Sequence, residues 1–132
     1  MKDRRRDDAE PGQDEGDESE VMVSRIAVAR DVQDREPVDE GSSLFPPDSG
    51  HLVCFTRIEN AGEADSVFHV WSYDDEEMAR VELQVKGPPW RTWSKKTILR
   101  SHVGEWRVTI ESSTGKVLAS TTFAIDGAGE GV

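Results

Sequence analysis

The chain has 132 residues, the length of one ordinary domain. Charged side chains make up 33% and the hydrophobic set 35%, with 27 Asp plus Glu against 16 Lys plus Arg, a net charge of −11. These proportions exclude a membrane-spanning helical protein, a collagen-like chain and a disulfide scaffold. The acidic balance argues against nucleic acid as a partner, because that role needs a positive surface.

The charge is unevenly placed. Residues 1–20 hold nine acids and four bases, a local charge of −5, and almost nothing apolar precedes Val21. Such a segment cannot bury enough surface to offset the entropy of ordering it, so a disordered acidic tail is expected. Lys2 and Arg4 to Arg6 could begin a signal peptide, but Asp7, Asp8 and Glu10 follow where an apolar stretch is required. No run approaches the roughly 20 apolar residues of a membrane span. The expectation is a soluble cytoplasmic protein with no membrane role. The single cysteine, Cys54, permits no intrachain disulfide, and within LVCF it reads as a small buried hydrophobe.

From Val21 onward the pattern is beta. VMVSRIAVARDV (21–32) reads as a strand, and 34–48, punctuated by Pro37, Gly41, Pro46 and Pro47, as a loop. HLVCFTRIE (51–59) is a second strand and SVFHVWSYD (66–74) a third, followed by an acidic turn at Asp74 to Glu77. MARVELQVKG (78–87) alternates strictly: Ala79, Val81, Leu83 and Val85 point one way, Arg80, Glu82, Gln84 and Lys86 the other. WRTWSKKTIL (90–99) comes after Gly87, Pro88 and Pro89. EWRVTIE (105–111) then turns Trp106, Val108 and Ile110 inward. After a turn at Ser112 to Gly115, KVLASTTFAI (116–125) places Val117, Ala119, Phe123 and Ile125 on one face. No segment sustains a helical period.

About seven short strands with turn signals between them imply an all-β chain, a small antiparallel β-sandwich of immunoglobulin-like general architecture without its disulfide. The domain is expected over 21–126, with 127–132 (GAGEGV) a flexible end.

Several motifs also carry a resemblance. H-x-W at His69 and Trp71, the run from Gly87 to Lys95 (GPPWRTWSK) and G-E-W at Gly104 to Trp106 resemble the DUF2914 family, a bacterial domain of unknown function. VARDVQDREPVD and HLVCFTRIEN resemble its opening, so the likeness spans roughly Ile26 to Ile125. The resemblance implies a small β-sandwich with no established activity.

Two constellations bear chemistry. His69, Trp71 and Tyr73 share a strand face by period-two spacing. Either they pack in the core, or an imidazole and an indole line a shallow ligand pocket. A small hydrolytic enzyme using His69 is a third reading, but no recognisable nucleophile setting accompanies it. In WRTWSKK, Trp90, Thr92 and Ser94 fall on one side, Arg91, Trp93 and Lys95 on the other. From Trp90 to Arg107 the bases Arg91, Lys95, Lys96, Arg100 and Arg107 face only Glu105, a local +4 in an acidic chain. An indole flanked by cations suits an anionic or sugar-like ligand, or an acidic segment such as the chain's own tail. The histidines His51, His69 and His102 are scattered without zinc spacing, and no phosphate loop is present, so no metal or cofactor is expected. The sequence therefore points to a non-catalytic binding or protein-interaction module. Its candidate ligand-binding residues are His69, Trp71, Trp90, Arg91, Trp93 and Lys95, and the alternative is a structural or adaptor domain.

Overall fold

A computed structural model describes residues 21–38, 42–60 and 64–127. The expectations for residues 1–20 and 128–132 lie outside these described residues. Ten strands are present and, among the described residues, no helix. Among the described residues, therefore, no helix is long and apolar enough to cross a membrane.

Two sheets hold the fold. The three-stranded sheet runs β1 (Val21–Ala29), β5 (His51–Asn60), β8 (Trp90–Thr97). The five-stranded sheet runs β4 (Leu44–Phe45), β10 (Val117–Ile125), β9 (Gly104–Ser112), β6 (Asp65–Tyr73), β7 (Glu76–Val85). Neighbouring strands pair antiparallel, apart from the short parallel contact of β4 with β10. A small hairpin, β2 (Asp31–Gln33) and β3 (Glu36–Val38), branches off after β1.

The core lies between the sheets. β5 contributes Leu52, Cys54 and Ile58, β6 contributes Val67 and Trp71, and β9 contributes Trp106, Val108 and Ile110. Each set has period two, the spacing of residues that share one face of a pleated strand, and β5 is covered on its other face as well, with Val53 and Phe55 buried. Trp106 stacks on Phe123 at 5.9 Å, and Phe123 meets Trp71 and Phe45 edge-on. Cys54 is buried as expected, and its burial pushes the thiol pKa up, so it remains an inert thiol.

Three features depart from the sequence reading. The 34–48 stretch is not all loop: β3 and β4 lie within it. The turn joining β2 to β3 is Asp34–Arg35, both residues at positive φ (53° and 63°), a conformation usually signalled by Asn-Gly or Asp-Gly. Second, Val117 is exposed rather than inward. A bulge sets Val117 opposite Glu111 but Ala119 opposite Ile110, so Val117 falls out of phase with Ala119 and Phe123. Third, β1 carries a bulge at Ser24. Val23 pairs with Ile58 and Arg25 with Arg57, leaving Ser24 as the extra residue. Without it, Arg25 would lie opposite Thr56 and point into the core.

Candidate functional site

The six sequence candidates separate onto two sides of the three-stranded sheet. β8 follows the expected alternation. Ser94 pairs with Cys54 and Thr92 with Thr56 on the inner face, while Arg91 pairs with Arg57 and Trp93 with Phe55 on the outer face. Trp90 is half-buried against the core. His69 and Trp71, on β6 of the opposite sheet, are fully buried, so they share no surface with Arg91, Trp93 or Lys95. The pocket expected around His69 and Trp71 is closed by packing.

The interior group is a continuous hydrogen-bonded chain between the sheets. Trp71 Nε1 donates to Ser94 Oγ at 3.1 Å, and Ser94 Oγ lies 2.8 Å from His69 Nδ1. His69 Nε2 lies 3.1 Å from Thr56 Oγ1, which donates to the Thr92 carbonyl at 3.2 Å. Donor counting fixes the protons. Thr56 has one hydroxyl proton, and it goes to Thr92, so His69 Nε2–H must donate to Thr56. His69 Nδ1 then accepts from the Ser94 hydroxyl, whose oxygen accepts from the indole. Every polar atom along the chain is satisfied with His69 neutral. Burial holds its pKa down to about 4.

By distance alone, Ser94 and His69 look like a nucleophile and its base. Two facts argue against that use. The group on the other ring nitrogen is a hydroxyl, not an orienting carboxylate, and both side chains are sealed from solvent. Geometry instead assigns the network to fastening β6 of one sheet to β5 and β8 of the other.

The outer face is different. Arg25 pairs with Arg57, and Arg57 with Arg91, which places three arginines in one row across adjacent strands. The next row is Ala27, Phe55 and Trp93, and the one after it is Ala29, Val53 and Lys95. Phe55 stacks on Trp93 at 6.3 Å, and the Arg25 guanidinium lies over the Phe55 ring at 5.2 Å. Like charges directly opposite each other destabilise a sheet, so the row needs counter-charges. Glu36, on β3, supplies one. Its Oε1 accepts from Arg25 at 2.8 Å, and its Oε2 lies 3.2 Å from Arg91. The Arg25 hydrogen bond is the main reason its pKa is lowered, and the charges of Arg91 and Arg57 add to the effect. Glu59 Oε2 stands 3.3 Å from Arg57 Nε.

Sequence reasoning found Arg91, Trp93 and Lys95 on this face and missed Arg25, Glu36 and Arg57. The local +4 of residues 90–107 is not one patch. Arg107 lies on the five-stranded sheet, 3.7 Å from Asp75, and Lys96 sits over the Trp106 ring. The basic cluster that does form draws on β1, β5 and β8. Two concavities lie away from the arginine row. One, of about 240 Å³, runs between β1 and β10, and a smaller one, of about 50 Å³, lies beside Asp74 and Arg107. Among the described residues no group of three His, Cys, Asp or Glu is arranged to hold a metal.

Residues 64–125 match the model of the family DUF2914, a protein of unknown function. The match contains β6 to β10, and with them Arg91, Trp93 and Lys95, but not Arg25, Glu36 or Arg57. No curated protein matches the sequence. Among solved structures, a similar one is the crystal structure of a selenomethionine-labelled β-glucosidase from Kluyveromyces marxianus. It has a TM-score of 0.47 and 12% identity, and the match covers 81% of this chain and 14% of that one. The chain spans a small part of that enzyme's length, and a likeness this distant bears on neither fold nor activity.

Proposed function

We propose that this chain, whose residues 64–125 match the model of the DUF2914 family, is a non-catalytic binding module acting through the outer face of its three-stranded sheet. The observation that carries this reading is the row Arg25–Arg57–Arg91 beside Trp93 and Lys95. It sets partly exposed cations beside a half-buried indole, at the edge of a patch where Ala29, Val53 and Phe55 are buried, in a protein whose net charge is −11. The Arg57 and Arg91 side chains keep 43% and 38% of their exposure, enough for a ligand to reach them. Guanidinium groups and an indole together recognise an anionic partner by charge-assisted hydrogen bonds and stacking. His69 and Trp71 are left out of the site and act by holding the sheets that display it.

The test is the double substitution Arg91→Ser with Lys95→Ser. Its amide fingerprint should stay native, because neither side chain enters the core. Wild type and variant are then screened against anionic peptides, glycans and cell lysate at low and high salt. Binding by wild type that weakens with salt and disappears in the variant supports the module, since exposed charges are screened within about 8 Å at physiological ionic strength. Identical profiles would leave the face as an ordinary sheet surface and favour the structural or adaptor role.

A further inference from the structure

Resting on that reading, we propose that the ligand is a carboxylate-bearing, acidic peptide segment, and that Glu36 is an in-chain stand-in which occupies its place and weakens its binding.

The geometry is that of a loaded site. Adjacent strands are about 4.8 Å apart, so Arg25 and Arg91 stand roughly 10 Å apart with Arg57 between them. A single carboxylate, Glu36, touches both outer members of the row, one oxygen to each, and feels the charge of the middle one. It therefore sits over the centre of the row, which is where an incoming anion would be held. The bridging is to two separate guanidinium groups, one contact each, and a second carboxylate of the same shape can replace it. A glutamate or aspartate side chain on an extended peptide has that shape.

Glu36 comes from a short hairpin that packs on β1 and β5 without joining either sheet. β2 and β3 have three residues each and pair only with one another, outside both sheets. Glu36 and Arg91 retain about 40% side-chain exposure, so solvent and ligand already reach the contact. The bulge at Ser24 contributes as well, because it turns Arg25 outward to complete the row. Ser24 Oγ donates to Glu59 Oε2 at 3.0 Å, which places the carboxylate facing Arg57. Arg25, Glu36 and Arg57 all lie outside the DUF2914 match, so the stand-in belongs to the upstream part of this chain.

The test uses the full chain with poly-L-glutamate as the probe and inorganic phosphate as the comparison. Glu36→Gln keeps the side-chain length and removes the competing charge. Its affinity for poly-L-glutamate should rise several-fold over wild type, and the gain should shrink as salt is raised. Glu36→Ala should show the same gain, which separates loss of charge from a new amide contact. An unchanged or weaker affinity in both variants, with wild-type binding still lost in Arg91→Ser/Lys95→Ser, would overturn the stand-in role. Glu36 would then only tether the hairpin, and the proposed binding face would survive. Equal behaviour of wild type and Arg91→Ser/Lys95→Ser would overturn both proposals. Tighter binding of phosphate than of poly-L-glutamate would overturn the carboxylate class. Native amide fingerprints outside 31–38 confirm that each variant is folded.

Discussion

The two faces of the three-stranded sheet are built by alternate residues of the same strands, yet they solve the problem of polar groups in opposite ways. Inside, Thr56 and Ser94 meet His69 and Trp71 as neutral groups, each proton directed to one acceptor. Outside, Arg25, Arg57 and Arg91 remain charged and are answered by Glu36 and Glu59. The inner arrangement is closed: any added proton or missing hydroxyl leaves a buried group unsatisfied. The outer arrangement can exchange partners, because water and ligands supply alternatives. Stability should therefore depend on the inner face and binding on the outer one.

The largest effect should come from the packing that surrounds the inner network. Trp106 is fully buried, stacks on Phe123 and donates from Nε1 to the His102 carbonyl at 3.1 Å. Trp106→Ala should cost about 3–5 kcal/mol, by transfer loss plus cavity, measured by denaturant unfolding. A loss below about 1 kcal/mol would mean that the core does not rest on this residue.

Next is Ser94→Ala. It removes the acceptor of the Trp71 indole and the donor to His69 Nδ1 together, and leaves two buried groups without partners. At about 1–3 kcal/mol for each, the loss should be roughly 2–6 kcal/mol, although only one oxygen is deleted. A cost under about 1 kcal/mol would show that the chain of hydrogen bonds has slack.

Acid should expose the same network. The His69 pKa is about 4 in the fold against about 6.5 unfolded, so the unfolded chain binds the proton first. Its contribution is complete above pH 6.5 and is lost as pH falls toward 4, with about 2 kcal/mol gone between pH 8 and pH 5. Glu36 and Glu77, held below their ordinary value of 4.5, lose their share only at lower pH. Unfolding curves across pH 5–7 for wild type and His69→Gln should differ in slope, with the variant nearly flat. Parallel slopes would mean His69 titrates in the fold as it does in water.

How much of this the sequence disclosed follows from how far each feature reaches. The alternations of 78–87 and 105–111 are local, and the strands, their inward residues and the buried Trp106 follow from period two. The split of WRTWSKK into two faces is equally local. The Arg row is not, because it depends on which residue of β1 faces which residue of β5. The apolar positions Val21, Val23, Ile26 and Val28 do carry a hint. Their spacing skips once, at Ser24, where the bulge lies. Reading that skip as a bulge would have turned Arg25 outward, but pairing it with Arg57 and Arg91 requires the fold. The turn Asp34–Arg35 lacks the glycine or asparagine that marks a tight hairpin, so 34–48 reads as a loop, and β3 with Glu36 was hidden within it.

The smallest expected effect makes the sharpest distinction between the two faces. Arg57 stands between two arginines in register, and its Nε is buried without a hydrogen bond. Glu59 Oε2 is within 3.3 Å, close enough for attraction but not aligned to accept. Repulsion from both neighbours and an unsatisfied N–H act against the one ion pair, and exposed pairs of this kind contribute at most about 1 kcal/mol. Arg57→Thr, which places a β-branched side chain of high strand preference at the middle of a strand, should therefore leave stability unchanged or raise it by a few tenths of a kcal/mol. The same variant should lose most of the affinity for poly-L-glutamate, since it removes the centre of the row. A stability cost above about 1 kcal/mol would place Arg57 with the inner residues, as a structural part of the sheet. Unchanged or raised stability together with lost binding would mark the arginine row as a surface shaped by a ligand.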